Sequence, residues 1–142
     1  MLLGELLHPD ILRALGSAGH GSTILVSDGN FPHATAPSRS APHVYLNLAP
    51  DRLNVTDVVR VLCLAIPIEA AALMGPAEAI DAPIAHAAII GLLPPTASIR
   101  SLSRDAFYVE TATDDLALVI ATADTRPFAN VLLTIGVRAA LI

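Results

Sequence analysis

The chain has 142 residues, enough for one domain with a real core, and a formal net charge of −5 from 8 basic and 13 acidic residues. Apolar residues make up 54% and charged residues 15%, which excludes a disordered chain. All eight basic residues are arginines, scattered from Arg13 to Arg138, so there is no basic stripe for a nucleic acid and no polybasic patch for a membrane surface.

The opening segment, MLLGELLHPD, has no basic region, and Glu5 and His8 interrupt its apolar run. It does not read as a secretory signal, and a cytoplasmic protein is expected. Ile11, Leu12, Leu15 and Ala18 fall at helical spacing, so a helix is expected over Pro9 to Ala18, with Pro9 in its first turn and Gly19 as the residue after its C-cap. Thr23 to Ser27 (TILVS) is a β-branched, apolar run and reads as a buried strand. Asp28-Gly29-Asn30 breaks it, and Phe31 to Pro42 carries three prolines and reads as a long loop. Loops of that length in a compact domain are often functional.

His43 to Leu48 suits a short strand. A helix follows Asn54, with Val55, Val58, Val59 and Leu62 on one face and Asn54 or Thr56 as its cap. Pro67 ends it or opens a loop. Glu69 to Met74 is too uniformly apolar for helix and strand to be told apart. Pro83 to Leu93 reads as a buried helix ended by Gly91 and Pro94-Pro95. It lies in the longest uncharged stretch, Ala82 to Ile99, which falls short of the roughly 20 apolar residues of a spanning helix. The high mean hydropathy, +0.62, is therefore assigned to a subunit interface rather than to a membrane. Ser98 to Leu102 suits a strand, Arg104 to Thr111 a short helix, and Leu116 to Ala123 and Asn130 to Ile135 two buried strands. Interleaved strands and helices define an α/β class whose sheet is covered on both faces.

Familiar chemical motifs are absent. No phosphate-binding glycine loop of either common type occurs, nor HExxH, nor a G-x-S-x-G elbow. The five histidines are far apart, so no metal ligand set is written in the sequence. The single cysteine, Cys63, lies in the apolar VLCLAI and reads as core packing. What remains is a set of polar groups at loop positions. His20 lies between Gly19 and Gly21, where it is either a surface-turn residue or a proton-transfer group. Asp28 follows the TILVS strand, where α/β proteins place ligands, or else it serves an Asx-turn. Arg104 starts a helix, a position the helix dipole disfavours. Asn130 can offer both a donor and an acceptor to a sugar-like ligand, or simply hold a turn.

In order and spacing these segments resemble one family over nearly the whole chain. Gly19-His20-Gly21 followed by Ser27-Asp28-Gly29-Asn30-Phe31-Pro32 resembles the G-H-G … D-[AG]-[NH]-F-P pattern of the ribose pyranase / fucose mutarotase (RbsD/FucU) family. Leu53 to Val59 resembles its central helix entry. Arg104-Asp105-Ala106-Phe107-Tyr108 resembles the R-x-A-F-Y segment of its fucose branch, and Pro127 to Leu133 with Gly136-Val137 resembles its last motif. The Asn-Phe-Pro and R-x-A-F-Y pieces favour the fucose branch.

The resemblance implies a single three-layer α/β/α domain over residues 1–142 with a mixed, largely buried sheet. It implies a cytoplasmic, cofactor-free and metal-free isomerase that interconverts anomers, or pyranose and furanose rings, of a free monosaccharide such as L-fucose. It also implies ring-like homo-oligomers, a decamer among them, with sites between neighbouring subunits. By the same resemblance His20 is the acid/base, while Asp28, Arg104 and Asn130 bind the sugar, and Phe128 stands where the family has Tyr. Tyr108 matches a different family tyrosine. Val109 stands where the fucose branch has Glu. The lost hydroxyl at Phe128 leaves two other readings open, a changed sugar or a non-catalytic sugar-binding protein.

Geometry adds one expectation. His20 and Asp28 bracket the TILVS strand, which spans about 15 Å or more if straight. The two side chains are then not expected to meet within one chain, and a site shared between copies is expected.

Overall fold

The computed structural model describes residues 1–76 and 82–142. In chain order the elements are α1 (Pro9–Ser17), β1 (Thr23–Ser27), β2 (His43–Tyr45), α2 (Val55–Ala65), β3 (Ile68–Gly75), α3 (Ile84–Leu92), β4 (Ser98–Ser103), α4 (Arg104–Thr111), β5 (Leu116–Ala121) and β6 (Val131–Ile135). The strands form one six-stranded sheet in the order β2-β5-β1-β6-β3-β4. β1 pairs parallel with β5, β2 with β5, and β3 with β4, whereas β6 runs antiparallel between β1 and β3. The first five strands therefore all end at one edge of the sheet, where β6 begins.

Alternation along the strands divides the core in two. Ile24 and Val26 of β1, Leu118 and Ile120 of β5, and Ala71 and Leu73 of β3 pack in a cluster with Ile11 and Ala14 of α1, Val55, Val59 and Leu62 of α2, and Ala85 and Ile89 of α3. The intervening Leu25, Val119, Ala72 and Met74 pack on the other face with Phe107 of α4 and with Phe31 and Ala41 of the long loop. Three helices thus cover one face, and one helix plus the proline-rich loop cover the other. This double cover explains why β1 and β5 read as continuous apolar runs rather than alternating ones. β4, at the sheet edge, is exposed over most of its length.

Some local expectations change. Gly19 does follow the C-cap, Ala18, which is extended, but the left-handed glycine is Gly21, with φ 85°. Asn54, not Thr56, stands at the N-cap of α2, and its backbone N–H donates to Asp57 Oδ2 at 2.8 Å. The next N–H, of Val55, donates to Asp124 Oδ2 at 3.0 Å, so a buried carboxylate from the end of β5 secures the helix start. Gly91 lies within α3 rather than after it, and α3 is only partly buried, with Ile84 83% and Ile90 43% exposed. Among the described residues no helix is long and apolar enough to cross a membrane.

Candidate functional site

The strand ends converge on a pocket of about 380 Å³ lined by Asp28, Asn30, Phe31, Met74, Arg104, Tyr108, Pro127, Phe128 and Asn130. That volume lies within the range of small-molecule sites, roughly 300–1,000 Å³. Its location, outside the carboxyl ends of β1, β3 and β4, is where open α/β sheets present ligands.

Asp28 leaves β1 and is 3% exposed, and Asn130 enters β6 fully buried. The Asp28 backbone N–H donates to Asn130 Oδ1 at 2.8 Å, and Asn130 Nδ2 donates back to Asp28 Oδ2 at 3.0 Å. Asn30 N–H donates to Asp28 Oδ1 at 2.9 Å. Burial raises the Asp28 carboxyl above its ordinary range, against the lowering effect of these hydrogen bonds, and the nearby Asp124 adds to the rise.

The walls are aromatic. Phe31 stands edge-on to Phe107, with ring centres 6.1 Å apart, and to Tyr108, at 5.4 Å. Phe128 adopts φ 60°, a left-handed backbone unusual for a bulky side chain. It is held there on two sides. Asp124 is fully buried, and its Oδ1 accepts from the Arg126 backbone at 3.0 Å and from Arg126 Nε at 2.9 Å. From α3, His86 Nε2 lies 3.1 Å from the Phe128 carbonyl oxygen and 3.0 Å from that of Met74. Only a protonated Nε2 can donate to two carbonyls. Arg104, the first residue of α4, is exposed and projects its charge at the pocket mouth.

The structure therefore gathers Asp28, Arg104, Tyr108, Phe128 and Asn130 at one site. His20 is not among them. It lies beyond the opposite end of β1, with Nε2 2.9 Å from Glu69 Oε2, and the five residues of the strand separate the two ends by about 16 Å. Asn30, Phe31, Met74 and Pro127 complete the lining of the pocket. Asn30, Phe31 and Pro127 lie in the segments that carry the family resemblance, Met74 lies at the end of β3, and nothing in the sequence ties His86 to Phe128. Among the described residues no three His, Cys, Asp or Glu side chains gather as a metal would require.

Fold and pocket together define an α/β protein with a ligand-sized polar and aromatic site at its strand ends. The RbsD / FucU transport protein family matches residues 1–138, and the chain belongs to this family. It is 32% identical over 133 residues to a D-ribose pyranase of Paracidovorax citrulli, covering 93% of this chain and 95% of that one. It is 30% identical over 146 residues to a D-ribose pyranase of Klebsiella pneumoniae, covering 96% and 99%. The structure of Bacillus subtilis RbsD complexed with D-ribose superposes with a TM-score of 0.82 at 25% identity, covering 98% of this chain and 100% of that one. The fucose mutarotase of Streptococcus pneumoniae in complex with L-fucose shares the fold, with a TM-score of 0.77 at 23% identity over 93% and 94% of the two chains.

Proposed function

We propose that this chain is a single mutarotase domain that interconverts ring forms of a free monosaccharide without a cofactor. The observation that carries the proposal is the pocket itself. A buried carboxylate–amide pair, Asp28 with Asn130, sits beside the Arg104 guanidinium and between aromatic walls. Polar groups of this kind match hydroxyls, and aromatic faces accept the C–H surface of a sugar ring.

The reaction needs a proton moved at each of two oxygens. Removing the anomeric hydroxyl proton drives that oxygen's electron pair into a carbonyl. The bond from the anomeric carbon to the ring oxygen breaks, and the ring oxygen takes up a proton. Rotation of the open aldehyde and the reverse steps give the other anomer or ring size. His20 is proposed as the acid/base, a role worth about 10²–10⁴-fold. Asp28 and Asn130 are proposed to fix hydroxyls, and Arg104 to steady charge on an oxygen. Tyr108 lines the wall beside Phe31.

Because His20 and the pocket occupy opposite ends of β1, the proposed site is composite: His20 of one copy closes the pocket of another. Exposed apolar side chains at Leu48 (90%), Leu64 (66%) and Val137 (70%) fit self-association into a ring. A soluble cytoplasmic setting follows from the same reading, as the place where free sugars arriving by import meet the enzyme.

For the substrate, the Arg104 to Tyr108 pattern points to the fucose branch, while the curated relatives above are named for D-ribose. The test is NMR measurement of anomer exchange with L-fucose, D-ribose and other free sugars. Faster exchange than in a blank, lost in His20→Ala while sugar binding persists, supports the enzyme. One observation favours a second reading, a non-catalytic sugar-binding protein: Phe128 supplies no hydroxyl to the pocket. Saturation transfer from the protein to a sugar without accelerated exchange would favour it.

A further inference from the structure

We propose that Glu69 is the positioning residue of His20. It fixes the imidazole so that Nδ1, not Nε2, is the nitrogen that takes and returns the sugar proton. This inference rests on the assignment of His20 as the acid/base.

The contact is two-sided. His20 Nε2 lies 2.9 Å from Oε2 and 3.1 Å from Oε1 of Glu69. An ionised carboxylate only accepts hydrogen bonds, so Nε2 must carry the hydrogen. In the neutral ring that leaves the lone pair on Nδ1. Among the described residues no hydrogen bond reaches Nδ1, so it is open to a ligand.

Three features of the chain place this carboxylate. The first is a break in the β3–β6 ladder. Ile68 pairs with Ile135 and Ala70 with Thr134, so Glu69 is the extra residue of a bulge. Bulges re-aim the side chain they carry, and they recur beside active sites. The second is Gly136. A Cβ there would stand 3.0 Å from Glu69 Cβ and 3.5 Å from Oε2, so the glycine clears the path of the carboxylate. The third is the anchoring of the His20 loop to the same strand end. Gly21, at φ 85°, donates its N–H to Ile135 O at 2.9 Å, and Ile135 N–H donates to Ser22 O at 2.9 Å. Gly136 N–H in turn donates to Pro67 O at 2.9 Å, beside the start of β3. The turn carrying His20 and the bulge carrying Glu69 are thus both fastened to the end of β6.

An exposed pair of this kind contributes little to stability. The bulge and the glycine gap are accounted for if the pair sets the direction and tautomer of the ring instead.

The test combines kinetics with ¹⁵N NMR of the full chain. Long-range ¹H–¹⁵N correlation at about pH 8.5, above the ordinary histidine range, reads the tautomer without any sugar present. The wild type should show Nε2–H alone, and Glu69→Ala a mixture of both tautomers. Glu69→Ala should lower kcat for anomer exchange by about 10-fold or more while KM changes less than about 2-fold. Glu69→Gln, nearly isosteric and still able to accept, should fall between. Gly136→Ala should behave like Glu69→Ala by crowding the carboxylate aside. A wild-type Nδ1–H tautomer, or unchanged kcat in Glu69→Ala, would overturn the proposal. Failure of the underlying enzyme reading looks different: His20→Ala would then exchange sugar as fast as the wild type.

Discussion

Asp28 and Asn130 bind each other twice, main chain to side chain and side chain to side chain, at 2.8 and 3.0 Å. The pair joins the end of β1 to the start of β6, which run antiparallel, so the two strand termini meet at the pocket floor. Asn130→Ala strands a buried N–H and half of a buried carboxylate. It should destabilise the fold by about 1–3 kcal/mol for each stranded group and abolish sugar binding. Urea unfolding and NMR titration with sugar check the two parts separately.

Arg104 offers a charged donor at the pocket mouth. Hydrogen bonds to charged groups are worth about 1.5–3 kcal/mol, so Arg104→Ala should lower kcat/KM by roughly 10- to 100-fold. Stability should hardly change, because the side chain is exposed. Arg104→Lys should recover only part of the loss, since an ammonium lacks the planar fork. Steady-state exchange rates at several sugar concentrations decide it.

Phe128 combines a left-handed backbone with a place on the pocket wall. Phe128→Tyr keeps the ring and supplies a hydroxyl. A net hydrogen bond of about 0.5–1.5 kcal/mol predicts a rise in kcat/KM of roughly 2- to 10-fold for the preferred sugar. Phe128→Gly should relieve about 1 kcal/mol of backbone strain but weaken sugar binding. Loss of the ring packed on the Phe31 and Phe107 cluster outweighs that relief, so Tm and exchange should both fall in that variant.

Asp124 governs the acid side of stability. Burial alone would raise its carboxyl, but hydrogen bonds from the Arg126 side chain and backbone and from Val55, with the Arg126 charge, bring it below its ordinary range. A carboxyl depressed in the folded state adds stability above its unfolded pKa, near 3.9, and that stability is lost as pH falls through the folded value. Asp124→Asn should therefore lower Tm at neutral pH. It should also flatten the decline of Tm below about pH 4 relative to the wild type. Asp124 is fully buried but Arg126 is 27% exposed and can turn to water, so the neutral-pH loss should be near that of a charged hydrogen bond, about 1.5–3 kcal/mol. Melting curves from pH 7 down to the acid limit measure it.

Much of this architecture is legible in residue order. Thr23–Ser27 and Arg104–Thr111 match their sequence expectations in full, because a β-branched run and a Ser-capped amphipathic turn are local signals. β3 was not legible as a strand. Its alanine-rich run has no period, and only pairing with β4 and β6 decides it. Asp28, Arg104 and Asn130 were visible as polar groups at element ends, and the pocket unites them. The bond between His86 and the Phe128 carbonyl and the Glu69–His20 contact were not visible. Their partners lie 42 and 49 residues apart, and one depends on a bulge that no side-chain pattern announces.

A sugar site made by two copies can be reassembled from variants that each lack one half of it. His20→Ala and Asp28→Ala should each be inactive in anomer exchange. When the two are unfolded together, mixed in equal amounts and refolded, random assembly of a symmetric ring gives about a quarter of sites both wild-type residues. Exchange should then return toward about a quarter of the wild-type rate. Exchange that stays at the blank rate, in mixed oligomers shown by mass spectrometry to contain both variants, would contradict it.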